Sequence, residues 1–202
     1  VEALQARRFD YKGRAYPLSP GSVEQIVREL SSVHLADGLL PANERFYRRL
    51  ALGVTVTEFM PDGKRHQPTV ALIDWHDPAA NRWDVAEAVP VLAAHGDGER
   101  RLGLVCYVNG LPLAIVEDGP QAVARHLRRQ RHDEVPQVYA AAQLLLAVDT
   151  AQARYGTTGT PQRLWARWHE EEFTDAQYAS WTPGSSAPAA AGRLAASLLQ
   201  PQ

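Results

Sequence analysis

Apolar and polar positions along the chain change period several times, and each change marks an element. Val23, Ile26, Val27 and Leu30 share one face at helical spacing, with Ser22 placed to cap that helix. A second helix is expected over "PANERFYRRLAL", with Phe46, Tyr47 and Leu50 as its apolar face, Asn43 as a candidate cap and Gly53 as its stop. The turn-rich "YKGRAYPLSP" precedes both, so the first fifty residues read as a short extended lead-in followed by helices. At "GVTVTEFM" the period shortens to two. Val54, Val56 and Glu58 alternate with Thr55, Thr57 and Phe59, "PDGKR" supplies a hairpin turn and "TVALIDW" the return strand.

The middle of the chain continues in strands. "WDVAEAVPVL" reads as a strand interrupted or ended by Pro90, and "HGDGERR" as a polar loop. In "LVCYVNGLPLAIVEDGP" two apolar runs, 104–108 and 111–116, meet at Asn109-Gly110. A type I′ turn needs positive φ at both central residues, so this pair is a strong hairpin signal. Gly119-Pro120 closes the hairpin and a helix follows over "QAVARHLRRQ", broken at "DEVPQ". "VYAAAQLLLAVDT" predicts a short helix leading into a strand at 144–148, and "ARYGTTGT" a last strand. Trp165 and Trp168, three apart, are expected on a helix and in the core. From Thr182 the chain is linker-like, and "RLAASLLQ" predicts a terminal helix. Central strands flanked by helices give the α/β class. The division is 1–52 as an N-terminal helical segment, 53–181 as the core and 182–202 as linker and C-terminal helix.

Composition narrows the function classes. A formal net charge of −2 rules out attraction of nucleic acid by the whole molecule, so such contact needs a local basic face. "ARHLRRQRH" offers one: Arg125, Arg128, Arg129 and His132 recur at i, i+3, i+4 and i+7, as a phosphate-contacting stripe or a solvated helix face. The lone Cys106 lies in an apolar run, which excludes an intrachain disulfide or a cysteine zinc cluster and points to a structural thiol. The seven histidines show no zinc-type spacing, and no phosphate-binding glycine loop is present, so no ATP site is expected. No apolar stretch approaches the ~20 residues of a membrane helix. The start has no signal-peptide pattern, so a cytoplasmic protein without membrane contact is expected.

"YVNGLPLAIVE" resembles the nuclease domain at the start of the R subunit of type I restriction enzymes. The surrounding pieces agree in order over residues 41–168: "LALGVTVTEFMPDGK", "VALIDWHDPAANRWDVAEAV", the helix and strand of "RRQRHDEVPQVYAAAQLLLAVDTAQARYGT", and "QRLWARW". The resemblance implies a PD-(D/E)xK restriction-endonuclease-like core, a mixed sheet flanked by helices that cuts DNA with Mg²⁺. It also implies a fused DNA-translocating motor, methylation and specificity subunits as partners, and a place in phage defence. Two carboxylates would hold the cation and a lysine would act on the attacking water.

Laid on that pattern, the chain departs from it. Gly103 stands where the family has its aspartate, Glu117 where it has glutamate, and Gly119 where it has lysine. The family's later glutamine and tyrosine correspond to His126 and Gln130. Of five diagnostic residues only Glu117 is kept. The resemblance therefore implies a degenerate nuclease serving in DNA or subunit binding, with Arg125, Arg128 and Arg129 as the DNA-contacting residues. The alternative is an active Mg²⁺ endonuclease with a migrated site, its metal held by Glu117 and Asp118 with help from Asp84, Glu87, Asp97 or Glu99.

Overall fold

The computed structural model describes residues 1–95, 98–149 and 152–168. The linker and terminal helix expected beyond Thr182 lie outside the described residues. The N-terminal segment carries the expected helices and, in addition, a hairpin. Helix α1 (Glu2–Ala6) leads into β1 (Arg8–Tyr11) and β2 (Arg14–Pro17), which turn at Lys12-Gly13 with both φ values positive. Helix α2 (Pro20–Ser31) begins earlier than its apolar period indicated: Ser19, not Ser22, is the cap, and its side chain accepts from the Ser22 amide. Pro20 makes this possible, because its fixed φ suits the first helical position and its missing N–H needs no partner there. Helix α3 (Leu39–Leu52) likewise starts before Asn43, at Gly38, and ends at Gly53 as expected. Asn43 is freed for another task. Its Nδ2 donates to the carbonyls of Tyr139, Ala140 and Ala142 and ties α3 to a later connection.

The hairpin over the alternating segment forms as two short ladders. Strands β3 (Val54–Thr55) and β6 (Thr69–Val70) pair, as do β4 (Glu58–Phe59) and β5 (Arg65–His66). Val54, Val56, Glu58 and Met60 are buried, so the expected alternation holds. The return strand is shorter than "TVALIDW": after Val70 the chain is held by Asn81, which accepts from the Asp74 amide and donates to the Asp74 carbonyl.

A six-stranded sheet forms the centre. Strand β7 (Trp83–Leu92) pairs antiparallel with β8 (Glu99–Val108), and β8 with β9 (Leu111–Asp118). Asn109 and Gly110, both at positive φ, make the turn between the latter two. β7 runs through Pro90 because it is the edge strand, where a missing N–H costs no ladder bond. The chain then crosses over through α4 (Ala122–Arg129) and α5 (Pro136–Tyr139) to β10 (Leu144–Val148), parallel to β9. Strands β11 (Ala153–Gly156) and β12 (Ala166–Arg167) complete the mixed sheet in the order β12-β11-β10-β9-β8-β7. Trp165 and Trp168 are not on an α-helix: Trp165 ends a 3₁₀ turn and is buried, and Trp168 follows β12. Among the described residues no helix is long and apolar enough to cross a membrane.

Two cores result. One joins the N-terminal helices to the short ladders through Ile26, Phe46, Leu50, Val56 and Ile73. The other lies between α4, α5 and one sheet face, with Val105, Ile115, Leu145 and Tyr139 fully buried. Glu117 projects into this second core. It is two residues beyond Ile115 on the same strand, and strand alternation returns it to the same face.

Candidate functional site

β9 ends at the site and α4 returns over it. Gly119, at φ +86°, turns the chain, its amide donating to the Val148 carbonyl. Ala122, His126 and Arg129 recur at i, i+4 and i+7 and are the buried positions of α4, so this face meets the sheet. Arg129 is thereby carried inward, over Glu117.

Glu117 is 1% exposed and fully engaged. Its Oε1 meets Arg129 Nη1 and also accepts from the Gly103 amide at 3.3 Å. Its Oε2 accepts from Arg125 Nη1 at 2.9 Å. Arg129 additionally donates to the Arg101 carbonyl, and burial lowers its pKa from the ordinary arginine value. A buried carboxylate is tolerable only when paired and hydrogen-bonded, and here two guanidinium groups and a main-chain N–H do that. Asp118 alternates to the solvent side and is almost fully exposed, although its Oδ1 lies 3.8 Å from Arg125 Nη1 at the rim of the site.

Gly103 sits at an irregularity that periodicity did not reveal. The half-buried or buried positions of β7 are Asp84 and Ala86, then Val89 and Val91. On β8 the fully buried positions pass from Leu102 to Val105, with Arg100, Gly103, Cys106 and Tyr107 half-buried and Val108 buried at the far end. Both strands change parity together, at Ala88 (φ +52°) and at Gly103 opposite it, and the ladder steps from Glu87–Leu104 to Val89–Leu102. A Cβ on Gly103 would lie 2.5 Å from the Val116 carbonyl oxygen. The strands have therefore closed over the place where a side chain would stand. Gly103→Asp is accordingly expected to destabilise the fold and not to supply a cation ligand. Gly103→Ala, the smaller probe, should cost about 1–3 kcal/mol in urea unfolding, the usual range for overpacking. An unchanged midpoint would mean that β8 and β9 part there at no cost. At Gly119 the obstacle differs: space is open, but the positive φ disfavours any side chain with a Cβ.

The remaining sequence-derived candidates are spread out. Arg125 and Arg129 both face Glu117, while Arg128 is exposed and only 3.9 Å from Glu134 at its nearest approach. The helical stripe thus divides, and His132 lies beyond the end of α4 at Arg129. Asp84 pairs with Arg82 and Glu99 with Arg101, Glu87 is exposed on β7, and Asp97 is outside the described residues. Among the described residues no group of three or more His, Cys, Asp or Glu side chains is arranged to hold a metal. Glu117 alone, with both oxygens held by cations, does not fit Mg²⁺, which takes one or two free carboxylates and demands octahedral geometry. Cys106 is half-buried in β8, and burial pushes its thiol pKa up.

His126 and Gln130 occupy structural positions. His126 Nε2 is 3.0 Å from the Leu146 carbonyl and Nδ1 is 3.1 Å from the Tyr139 hydroxyl. A carbonyl only accepts, so Nε2 carries the proton and Nδ1 accepts from Tyr139. The ring stacks on Trp165 at 5.3 Å, and burial pulls its pKa down to about 4. Gln130 donates to the His126 carbonyl and accepts from the Gly159 amide. The inward role of Arg125 and Arg129 was missed by sequence reasoning. The available signal was the Ala122, His126, Arg129 spacing, which marks a buried face that includes an arginine.

A sheet carrying one buried acidic residue, Glu117, near the end of β9, followed by a crossover helix, is the setting in which relatives can be compared. The family of type I restriction enzyme R protein N termini matches residues 2–163, and the chain belongs to it. A Methanocaldococcus jannaschii chain, assigned provisionally as the type I restriction enzyme MjaIXP endonuclease subunit, is 32% identical over 140 residues, 64% of this chain. The Haemophilus influenzae type I restriction enzyme HindI endonuclease subunit is 25% identical over 158 residues, 75% of this chain. The matched stretches make up only 13% and 15% of those two proteins.

Proposed function

We propose that this chain is a nuclease-fold region, of the PD-(D/E)xK kind, of a type I restriction R subunit. In this reading it cuts no DNA itself and serves in the cytoplasm as a binding element within the restriction complex. The observation that carries the reading is the engagement of both Glu117 oxygens by Arg125 and Arg129, beside two positions, Gly103 and Gly119, that lack side chains. The charge that would stabilise an attacking group or a phosphate is absorbed within the protein. What remains outward on α4 is Arg128, which supports contact with a phosphate backbone.

Plasmid nicking with Mg²⁺ or Mn²⁺, together with duplex binding by fluorescence anisotropy, tests this. The chain is expected to leave supercoiled plasmid intact and to bind duplex DNA. Arg128→Glu should weaken that binding several-fold and flatten its salt dependence by about one ion. Nicking that disappears in Glu117→Ala would overturn the reading in favour of a migrated metal site. Binding indifferent to Arg128→Glu would remove α4 from the DNA contact.

A further inference from the structure

We infer that Arg125 is this chain's built-in substitute for a divalent cation. The inference rests on the reading of the domain as a silent nuclease fold, and it says how the site was closed. Three oxygens converge on one nitrogen. Arg125 Nη1 is 2.9 Å from Glu117 Oε2, 3.1 Å from the Asp118 main-chain carbonyl oxygen and 3.8 Å from Asp118 Oδ1. A buried carboxylate, a main-chain carbonyl and a second, solvent-facing carboxylate are the donor types that hard cations take. Here the positive charge reaches them on a side chain rooted in α4, so no ion from solution is required.

The two arginines have separate tasks. Arg129 is buried and holds Oε1 from the interior, together with the Gly103 amide, which leaves Oε2 turned toward Arg125. The Arg125 side chain is 30% exposed, so the position it fills borders water. Remove that guanidinium and the three oxygens face solvent with Arg129 still orienting the carboxylate. A divalent ion then has both a route and a donor set. With Arg125 present, the ion meets a unit charge already seated among its ligands. That repulsion is worth about tenfold in affinity or more, even at high effective dielectric.

The test uses the full chain, with manganese alone as the probe. Binding is read from loss of the free Mn²⁺ electron paramagnetic resonance signal, and thermal unfolding is followed in EDTA and in millimolar manganese. The unaltered chain is expected to bind no manganese at this site and to unfold at the same temperature in both solutions. Arg125→Ala should unfold at a lower temperature in EDTA, bind manganese at least about tenfold more tightly than the unaltered chain, and recover stability with it. Arg125→Met, which keeps the apolar stem, carries the test if the alanine variant does not fold. Arg125→Lys retains a cation and should stay indifferent to manganese, and Glu117→Gln placed in the Arg125→Ala background should abolish the gain. A folded Arg125→Ala or Arg125→Met that gains no manganese binding overturns the inference, as does manganese bound by the unaltered chain through Glu117. Nicking by the unaltered chain would instead strike at the reading of catalytic silence, so the two failures are distinguishable.

Discussion

Glu117→Ala is expected to lower the free energy of unfolding by about 3–5 kcal/mol, the cost of leaving one member of a buried ion pair without its partner. The member left behind is Arg129, buried between α4 and the sheet, which keeps the Arg101 carbonyl as a hydrogen-bond acceptor and the more distant charge of Glu134. Arg125 contributes less to the penalty, because its partly exposed side chain can turn toward water. A domain of this size has about 5–15 kcal/mol in hand, so the single change takes a large share of it. Urea unfolding at neutral pH measures the loss. Replacing both partners together, Glu117→Leu with Arg129→Met, should return most of the stability, since an apolar pair of similar volume avoids desolvating any charge. A carboxylate kept only to bind a metal behaves in the opposite way, because its removal relieves strain and usually stabilises the metal-free protein. A neutral or stabilising Glu117→Ala would therefore show that the clamp holds little, and that the residue is kept for something else.

What could be read beforehand follows from how local each determinant is. Asn109-Gly110 demands positive φ at both positions, and the hairpin is where that demand puts it. The strand at 144–148 was legible because "LLLAV" is a short apolar run between a helix and a polar loop, and β10 spans those residues. The α/β class followed from such segments in order. Boundaries failed where a neighbour decided the matter. Ser19 and Ser22 are both good caps, and the choice fell to Pro20, whose ring starts the helix one residue after Ser19. Asn43 looked like a cap by type, yet its amide is used across the fold on carbonyls near Tyr139, a contact between residues 96 or more apart in sequence. Trp165 and Trp168 have helical spacing, but the ladder from β11 captures Ala166 and Arg167 and leaves no helix.

The candidate site divided in the same way. Glu117, Gly103 and Gly119 were found because motif position is a property of the chain alone. The direction of Arg129 was not, since an arginine among arginines carries no mark of burial. It is Ala122 and His126 packing on β9 and β10 that rotate α4 and bring Arg129 over Glu117. The change of parity at Ala88 and Gly103 is likewise a property of two strands together, invisible in either one.

His126 is expected to make the fold sensitive to acid. Its pKa is pulled down to about 4 in the native state, chiefly by burial, with the Leu146 carbonyl opposing and Arg125 adding a smaller push in the same direction as burial. In the unfolded chain the ring titrates near 6.5. The unfolded state therefore binds the proton more readily, and stability falls as pH drops from about 6.5 toward 4 while being fully present above that window. A difference of this size corresponds to about 3 kcal/mol by pH 4. Protonation also forces the hydrogen bond at Nδ1 to reverse, because Nδ1–H can no longer accept from Tyr139 and must donate to its hydroxyl oxygen. Asp62 titrates below this range, held down to about 2 chiefly by the hydrogen bond from Lys12. His126→Gln separates the terms, because an amide can still donate to the Leu146 carbonyl and accept from Tyr139 without titrating. Urea midpoints at pH 7 and pH 4.5 should fall steeply in the unaltered chain and much less in His126→Gln, even if the variant starts lower through lost stacking on Trp165. Equal pH slopes in the two proteins would mean that His126 is charged in the native state. The neutral tautomer bridging Tyr139 and Leu146, and with it the apolar seat of α4 on β10, would then be wrong.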